Sequence, residues 1–169
     1  MDESVEIIKL EPSRFLEAKA IRLKALICDP YSFSSTIEDT ESLTDENWKE
    51  RLEYSIREEK AITYYAQKDN KIIGMAGVFF KEDSLPEIFG MFVDKDYRGL
   101  GIASRLLKVL ILKVNDMNKY NAIKLGVNIT MLPAIGLYKK YGFEITSTEK
   151  DHIKKDGKSF DIYNMELKL

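Results

Sequence analysis

The clearest pattern in the chain is an apolar run at residues 87–93, followed by a short polar turn and a long amphipathic segment. The turn leads into Arg98-Gly99-Leu100-Gly101-Ile102-Ala103. The segment after it has apolar side chains at spacings of three and four, the period of one face of an α-helix. This pattern predicts a buried strand, a glycine-containing loop and a helix that begins at the strand's end. The predicted apolar stripe is Ile102, Leu106, Val109, Leu110, Val114 and Met117.

Two further helices are predicted in the first third of the chain. Residues 15–28 have a helical pattern that Asp29-Pro30 ends, and Thr44 is a favourable N-cap for the next helix. Residues 31–43 between them are polar and aromatic, which is typical of a loop. The second helix has an inner face at four-residue spacing, made by Trp48, Leu52 and Ile56.

Strand patterns account for most of the remainder. Asp69-Asn70 predicts the turn of a hairpin, and Gly74 and Gly77 indicate a bulge in its second strand. No internal repeat, linker or low-complexity tract interrupts the pattern, so we expect a single domain over residues 1–169. The predicted strands are residues 5–10, 62–67, 71–80, 122–127, 143–148 and 160–167, with a short helix at 132–141.

The start of the central helix is suited to bind an anion. The first N–H groups of a helix have no partner within it, and the helix dipole adds positive charge there. Gly99 and Gly101 would let a phosphate approach these amides, and Arg98 would add a forked cation. Ser104 replaces the third glycine of a dinucleotide motif, and no Gly-Lys-Ser/Thr sequence follows. A glycine turn that binds nothing is the alternative interpretation.

Composition narrows the class of protein. Hydrophobic residues make up 44% and charged residues 32% of the chain, as in ordinary globular proteins. No apolar run approaches the roughly 20 residues of a membrane-spanning helix, and residues 1–4 have no signal-peptide pattern. The single cysteine, Cys28, excludes an internal disulfide, and the single histidine, His152, argues against a zinc site. We therefore expect a cytoplasmic protein without a membrane contact or a bound metal.

The charges are distributed unevenly along the chain. Residues 38–59 carry nine acidic and three basic side chains, a local net charge of −6. Residues 95–124 carry seven basic and two acidic side chains, a local net charge of +5. The basic segment could meet a phosphate-rich cosubstrate and the acidic one a cationic acceptor, or both could be solvated helix faces. No basic patch interleaved with aromatic residues indicates a nucleic-acid partner.

Two separate blocks of residues carry a family pattern. The first is Arg98-x-x-Gly101-x-Ala103, after a strand that ends in Met91-Phe92-Val93. The second is Leu125-x-Val127, followed by Pro133-Ala134-Ile135-x-Leu137-Tyr138-x-x-Tyr141-Gly142-Phe143. In order and spacing the blocks resemble the acyl-CoA-binding signature and the following strand, helix and turn of the GCN5-related N-acetyltransferase (GNAT) superfamily. The resemblance covers about residues 5–168.

This resemblance implies a fold and a cosubstrate. The expected fold is α/β, with a mixed, mostly antiparallel central sheet that is split between two parallel strands and flanked by helices. The implied cosubstrate is acetyl-CoA, whose pantetheine arm would pair with backbone groups of Met91, Phe92 and Val93. Asn128 is a candidate for a further contact, because Met131 stands where the family usually has asparagine. The implied contacts to the rest of the cosubstrate are Arg98, Gly99, Leu100, Gly101, Ile102, Ala103 and Ser104.

Acetyl transfer to an amine requires a neutral nitrogen and a stabilised leaving thiolate. An amine with a pKa near ~10 is mostly protonated at neutral pH, so a general base helps. Glu87 resembles the base position of the family's histone-acetylating branch; a solvated glutamate at a strand start, or a base acting through water, is the alternative. Tyr138 resembles the family's acid, while Tyr141 fits a packing role. Cys28 and His152 lack triad spacing, which argues against a covalent acyl-enzyme.

The sequence therefore predicts an acetyl-CoA-dependent N-acetyltransferase that acetylates a primary amine directly. The resemblance places residues 31–59 around the acceptor pocket, and their acidic character favours a small cationic amine such as a polyamine. A protein N-terminus or lysine as acceptor is one alternative, and a non-catalytic acyl-CoA-binding sensor is the other. Members of the family often form homodimers, and the resemblance extends that expectation to this chain.

Overall fold

The computed structural model describes residues 4–169, which form a seven-stranded sheet and five α-helices. The strands are β1 Glu6–Ile8, β2 Ala61–Lys68, β3 Lys71–Phe79, β4 Glu87–Val93, β5 Ala122–Asn128, β6 Glu144–Lys155 and β7 Lys158–Lys168. The helices are α1 Phe15–Cys28, α2 Ile37–Glu41, α3 Asp45–Arg57, α4 Ile102–Asp116 and α5 Leu132–Lys140.

The sheet has the strand order β1-β2-β3-β4-β5-β7-β6. Every neighbouring pair is antiparallel except β4 and β5. These two strands pair only through Glu87 with Lys124 and Ile88 with Leu125. Beyond Ile88 the described part of β5 no longer pairs with β4, so the sheet opens at this point. The predicted mixed sheet with a split between two parallel strands is confirmed.

Helices cover both faces of the sheet. The first face packs α1 and α3 against residues such as Tyr65, Met75 and Phe92. The second face packs α4 and α5 against Ile88 and Val93 of β4. Since side chains alternate between the two faces of a strand, β4 contributes to both cores. The predicted stripe of α4 is confirmed in part, because four of its members are buried: Ile102, Leu106, Leu110 and Val114. Val109 and Met117 are only half-buried, and Leu107, which was not predicted, is fully buried.

A bulge interrupts the pairing of β3 with β4 close to the split. Met75 pairs with Phe92 and Gly77 with Phe89, so Gly90 and Met91 together oppose one residue of β3. Gly90 has φ +66°, a conformation that glycine adopts without strain. A Cβ on Gly77 would lie 2.4 Å from the ring of Phe89, so only glycine fits beneath that ring. The extra residue of this bulge belongs to β4, where none was predicted. The bulge predicted in β3 lies beside Gly74 in the pairing with β2, because Ala66 pairs with Gly74 and Gln67 with Ile72, so that Ile73 is the extra residue.

Several predicted boundaries were wrong. Residues 31–43 are not all loop, because Thr36 and Asp39 form a capping box that starts α2. Ile56 does not lie on the inner face of α3 with Trp48 and Leu52; its exposed fraction is 38%, and the buried residue of that turn is Ser55. The last two strands extend beyond their predicted ends, since they form a long hairpin around the predicted turn at residues 156–157.

None of the helices within residues 4–169 is both long enough and apolar enough to cross a membrane.

Candidate active site

The split between β4 and β5 exposes main-chain groups in the middle of the molecule. From Phe89 onward β4 keeps β3 as its partner, but it has no partner on its β5 side among residues 4–169. The bulge at Gly90 changes the direction of the main-chain groups there. An extended ligand could therefore pair with Met91 and Val93 as an added strand would.

The N-terminus of α4 lies on the second face of the sheet and has the features of an anion site. Gly99 and Gly101 have φ +80° and +78°, and Gly101 is the N-cap of α4 without a side-chain hydrogen bond. No acidic residue occupies the first helical turn, and a Cβ on Gly99 would have no described atom within 4 Å. The first amides of α4 are thus open to a ligand phosphate. The residues of that turn are Ile102, Ala103 and Ser104.

Arg98 holds the loop before α4 in place. Its Nε donates a hydrogen bond to the Val93 carbonyl at 2.9 Å, and its Nη2 forms an ion pair with Asp29 at 2.5 Å. Asp94, the first residue after β4, is buried, and its carboxylate forms an ion pair with Lys24 of α1. The guanidinium of Arg98 therefore joins the end of β4 to the end of α1. Its predicted contact with a phosphate stays a prediction and would have to coexist with these bonds.

Two further predicted contact residues have partners within the chain. The hydroxyls of Ser104 and Tyr141 lie 2.6 Å apart, and Tyr141 also donates to the Ser104 carbonyl. The side chain of Asn128 donates to the Tyr31 carbonyl and accepts from the N–H and hydroxyl of Thr130. Tyr141 thus has the packing role expected of it. A cosubstrate contact of Asn128 stays a prediction, and it would compete with these bonds.

Tyr138 lies in the core on the α4 side of the sheet. Its exposed fraction is 5%, and its ring contacts that of Phe143 edge-on, with centroids 5.9 Å apart. Burial raises the pKa of Tyr138 to about 12, because the phenolate would lose its hydration. The hydroxyl therefore stays protonated at neutral pH and can donate a hydrogen bond.

The opposite face of the sheet has a large cavity beneath α1, α2 and α3. Its volume is about 1040 Å³, and its walls include all three helices and strands from both sides of the split. Glu87 lines it at the start of β4, with its carboxylate 3.6 Å from the Lys81 ammonium and 3.8 Å from that of Lys124. The two predicted catalytic side chains, Glu87 and Tyr138, thus belong to opposite faces of the sheet.

Sequence reasoning missed several side chains of this cavity. Arg22 of α1 and Arg51 of α3 both line it, and so does Tyr65, whose pKa burial raises well above its usual value. His152 lines it as well, with Nδ1 2.6 Å from a carboxylate oxygen of Glu149. Helical spacing could have identified the two arginines. Arg22 follows the buried Ala18 by four residues, and Arg51 follows the buried Trp48 by three, so each arginine lies on the same side of its helix as a buried residue.

Most of the acidic side chains of residues 38–59 lie outside the cavity. Of the nine acidic side chains of this segment, only Asp39 lines the cavity, and its carboxylate accepts from the Thr36 N–H at the start of α2. The segment also contributes the cation of Arg51 to the cavity wall. Because α3 is amphipathic, its inner face is apolar or basic, while its carboxylates lie on the outer face.

Comparisons with known proteins agree on a family. Residues 22–143 match the model of the "Acetyltransferase (GNAT) family". The chain is 38% identical over 77 residues to the L-amino acid N-acetyltransferase AaaT of Escherichia coli (strain K12), which is 46% of this chain and 48% of that protein. The chain spans about half the length, or less, of the curated relatives it matches.

Solved structures share the whole fold. The acetyltransferase of the GNAT family from Streptococcus pneumoniae has a TM-score of 0.85 at 24% identity, covering 98% of this chain and 99% of its own. The spermidine N-acetyltransferase of Vibrio cholerae, solved with CoA and spermine, has a TM-score of 0.78 at 14% identity, covering 99% and 96%. The fold thus extends over the described residues, and the family model matches more than half of the chain. The protein belongs to the acetyltransferase (GNAT) family.

Proposed function

We propose that this protein transfers the acetyl group of acetyl-CoA directly to the primary amine of a small molecule. One observation carries the proposal: the sheet opens after Ile88, with an uncapped, glycine-rich helix N-terminus on one face and a cavity of about 1040 Å³ on the other. A thioester and an amine that enter from opposite faces would meet at the split. The amine nitrogen then bonds to the acetyl carbon as the carbon–sulfur bond breaks.

The cosubstrate side uses main-chain groups. Amides from Gly99 to Ser104 bind the diphosphate, because this turn has no capping side chain and no carboxylate. Met91 and Val93 pair with the pantetheine arm along the open side of β4. An N–H near Phe92 or Val93 stabilises the carbonyl oxygen as negative charge develops on it.

Tyr138 stabilises the leaving sulfur in this proposal. Its pKa of about 12 lies far above the ~8.5 of an ordinary thiol, so complete proton transfer to the thiolate would be uphill by about 5 kcal/mol. The role that fits is a hydrogen bond from the hydroxyl to the developing thiolate, which afterwards takes its proton from solvent. This refines the prediction of Tyr138 as an acid.

The amine proton has two candidate acceptors. Glu87 lines the cavity and belongs to the two residues of β4 that still pair with β5. Its carboxylate can accept the proton directly or through water. The pair of His152 and Glu149 also lines the cavity. We propose Glu87 as the base, because it alone of the two belongs to the strand that carries the bulge.

The acceptor is proposed to be a small molecule, since a cavity of about 1040 Å³ with walls from α1, α2 and α3 has a suitable size for one. The named relatives differ in acceptor: one is an L-amino acid N-acetyltransferase and another is a spermidine N-acetyltransferase. The expectation of a cationic amine depended on residues 38–59, whose carboxylates mostly lie outside the cavity. Support for a polyamine from charge is therefore weak. A protein N-terminus or lysine remains the rival acceptor, and a homodimer stays a prediction.

A thiol-release assay over amino acids, amines, polyamines and peptides tests the proposal, with acetyl-CoA binding measured separately by calorimetry. We expect acetyl-CoA binding and thiol release that depends on a small amine. Binding without release for any amine would instead favour an acyl-CoA sensor. Release with peptides only would favour the protein-modifying alternative.

A further inference from the structure

Arg22 places a cation next to the split. A Cβ on Gly90 would lie 4.0 Å from its Nη1, so the guanidinium reaches the bulge of β4. Its Nη2 donates to the Ser35 hydroxyl at 2.5 Å, and its Cζ lies 4.6 Å from the centre of the Phe33 ring. Helix α1, the loop after it and the bulge together determine where this cation lies.

Arg51 brings a second cation to the same cavity from α3. Its Cζ lies 5.4 Å from the centre of the Trp48 ring. Burial lowers the pKa of Arg22, and the positive charge of Arg51 lowers it further. Burial also lowers the pKa of Arg51, although the nearby Tyr65 acts in the opposite direction. Both guanidinium groups line the same cavity and repel one another, but they differ in exposure: Arg22 is half-buried, whereas Arg51 is exposed at the cavity wall and keeps more of its hydration.

Neither Arg22 nor Arg51 forms an ion pair with a carboxylate among the described residues. Other arginines of the chain do: Arg14 pairs with Glu17, Arg57 with Glu53 and Glu59, and Arg98 with Asp29. Carboxylates such as Glu87 and Asp39 also line the cavity, but neither forms an ion pair with these two arginines. Two neighbouring cations without a direct ion pair favour a ligand that supplies the opposite charge.

We propose that Arg22 and Arg51 bind a carboxylate of the acceptor, and that the acceptor is an amino acid whose carboxylate is close to its amine. This rests on the proposed acetyl transfer. Because Arg22 reaches the bulge at Gly90, a carboxylate bound there leaves room at the split only for an amine a few bonds away. An α-amino acid meets this condition, since one carbon separates its two groups. A polyamine offers the two arginines only further positive charge.

Three related acceptors test the proposal on the unaltered protein: an L-amino acid, its carboxamide and its decarboxylated amine, for several side chains. All three present a primary amine, and only the first has a carboxylate. We expect kcat/KM to fall about 100-fold from the acid to either analogue, because the two arginines then lose their anionic partner. Equal kcat/KM for acid and carboxamide, or a higher value for polyamines, would overturn the proposal.

Variants identify the side chains responsible. Arg22→Gln and Arg51→Gln should reduce the preference for the acid to near parity while acetyl-CoA affinity is unchanged. Arg57→Gln is the matched control, since Arg57 lies on the outer side of α3 with carboxylate partners and outside the cavity. It should keep the full preference. A preference that survives both cavity variants would overturn the proposal.

A binding measurement separates this proposal from that of acetyl transfer and does not depend on variants that fold. A 2-hydroxy acid has the carboxylate without the amine, so it should bind the unaltered protein in calorimetry and compete with the amine acceptor, whereas its amide should not. Absence of such binding would overturn the carboxylate site even if turnover is observed. Binding without any turnover would instead overturn the proposed transfer and leave the carboxylate site supported.

Discussion

The N-terminus of α4 and the cavity under α1, α2 and α3 lie on opposite faces of one split sheet, and they offer different kinds of recognition. At α4 the available groups are main-chain amides, exposed by glycines at residues 99 and 101 and by the absence of a cap. In the cavity they are side chains, among them the guanidinium groups of Arg22 and Arg51 and the carboxylate of Glu87. The first region therefore suits a diphosphate, which main-chain amides can bind whatever their side chains. The second region suits recognition of a particular acceptor.

The two regions also differ in how their cations are used. Near α4, Arg98 already has Asp29 and the Val93 carbonyl as partners, so it orients the loop. In the cavity, Arg22 and Arg51 have no carboxylate partner among residues 4–169. A cation with an internal partner stabilises structure, whereas a cation without one favours an anionic ligand. The net charge of a segment conceals this difference, which individual contacts reveal.

Gly101→Glu should have the largest effect, and it acts only on the main-chain region. It places a carboxylate at the N-cap of α4, where repulsion of a diphosphate should weaken acetyl-CoA binding by about 100-fold or more in calorimetry. Gly157→Glu is the matched control, because Gly157 has a similar φ of +69° and open space around it in the distant β6–β7 turn. Unchanged affinity in the Gly101 variant would place the cosubstrate elsewhere.

Tyr138→Phe should have the next largest effect, and it acts on the α4 side of the sheet. Removal of the hydroxyl should lower kcat by about 100-fold, because the leaving thiolate loses a buried hydrogen bond. The dissociation constant of acetyl-CoA should change little, since the ring and its contact with Phe143 remain. Tyr141→Phe serves as the comparison, and a larger loss of kcat in that variant would transfer the role to Tyr141.

The main-chain region could be predicted from the sequence because its signals are local. Glycine spacing and helical periodicity specify the strand, the loop and α4 within one continuous stretch, and the structure has all three. Partners distant in sequence escaped prediction: the ion pair of Arg98 with Asp29 and the contact of Ser104 with Tyr141 join residues 69 and 37 positions apart. No local pattern encodes such contacts.

The cavity was harder to predict for a related reason. Segment charge suggested an acidic surface facing the acceptor, but the face on which each charge lies depends on how α3 packs against β2. Arg51 follows the buried Trp48 by three residues and lines the cavity, while most carboxylates of the segment lie outside it. The unexpected α2 illustrates the same limit, because its capping box depends on two residues of a stretch that otherwise resembles a loop.

Glu87→Gln compares two bases within the cavity. If the Glu87 carboxylate accepts the amine proton, kcat/KM should fall by about 10-fold in this variant, because water can carry the proton to another acceptor only less efficiently. His152→Gln should leave kcat/KM nearly unchanged, although it breaks the contact with Glu149. A loss of kcat/KM in the His152 variant alone would assign the base to His152.

The smallest effect is expected when carboxylates on the outer surface of residues 38–59 are removed. This change tests whether the cavity or the outer surface determines which acceptor is used. Glu41, Glu46 and Glu53 are exposed and lie outside the cavity, so their combined replacement by glutamine removes long-range attraction without altering a wall. At physiological ionic strength, screening over ~8 Å should keep the change in kcat/KM for a cationic amine below about twofold.

The same exchange at exposed Glu11, Glu82 and Glu144 controls for net charge. A loss above about tenfold that salt abolishes, and that the control lacks, would mean that cations are recruited by this surface after all. The side chains of the cavity would then not be the main determinants of the acceptor.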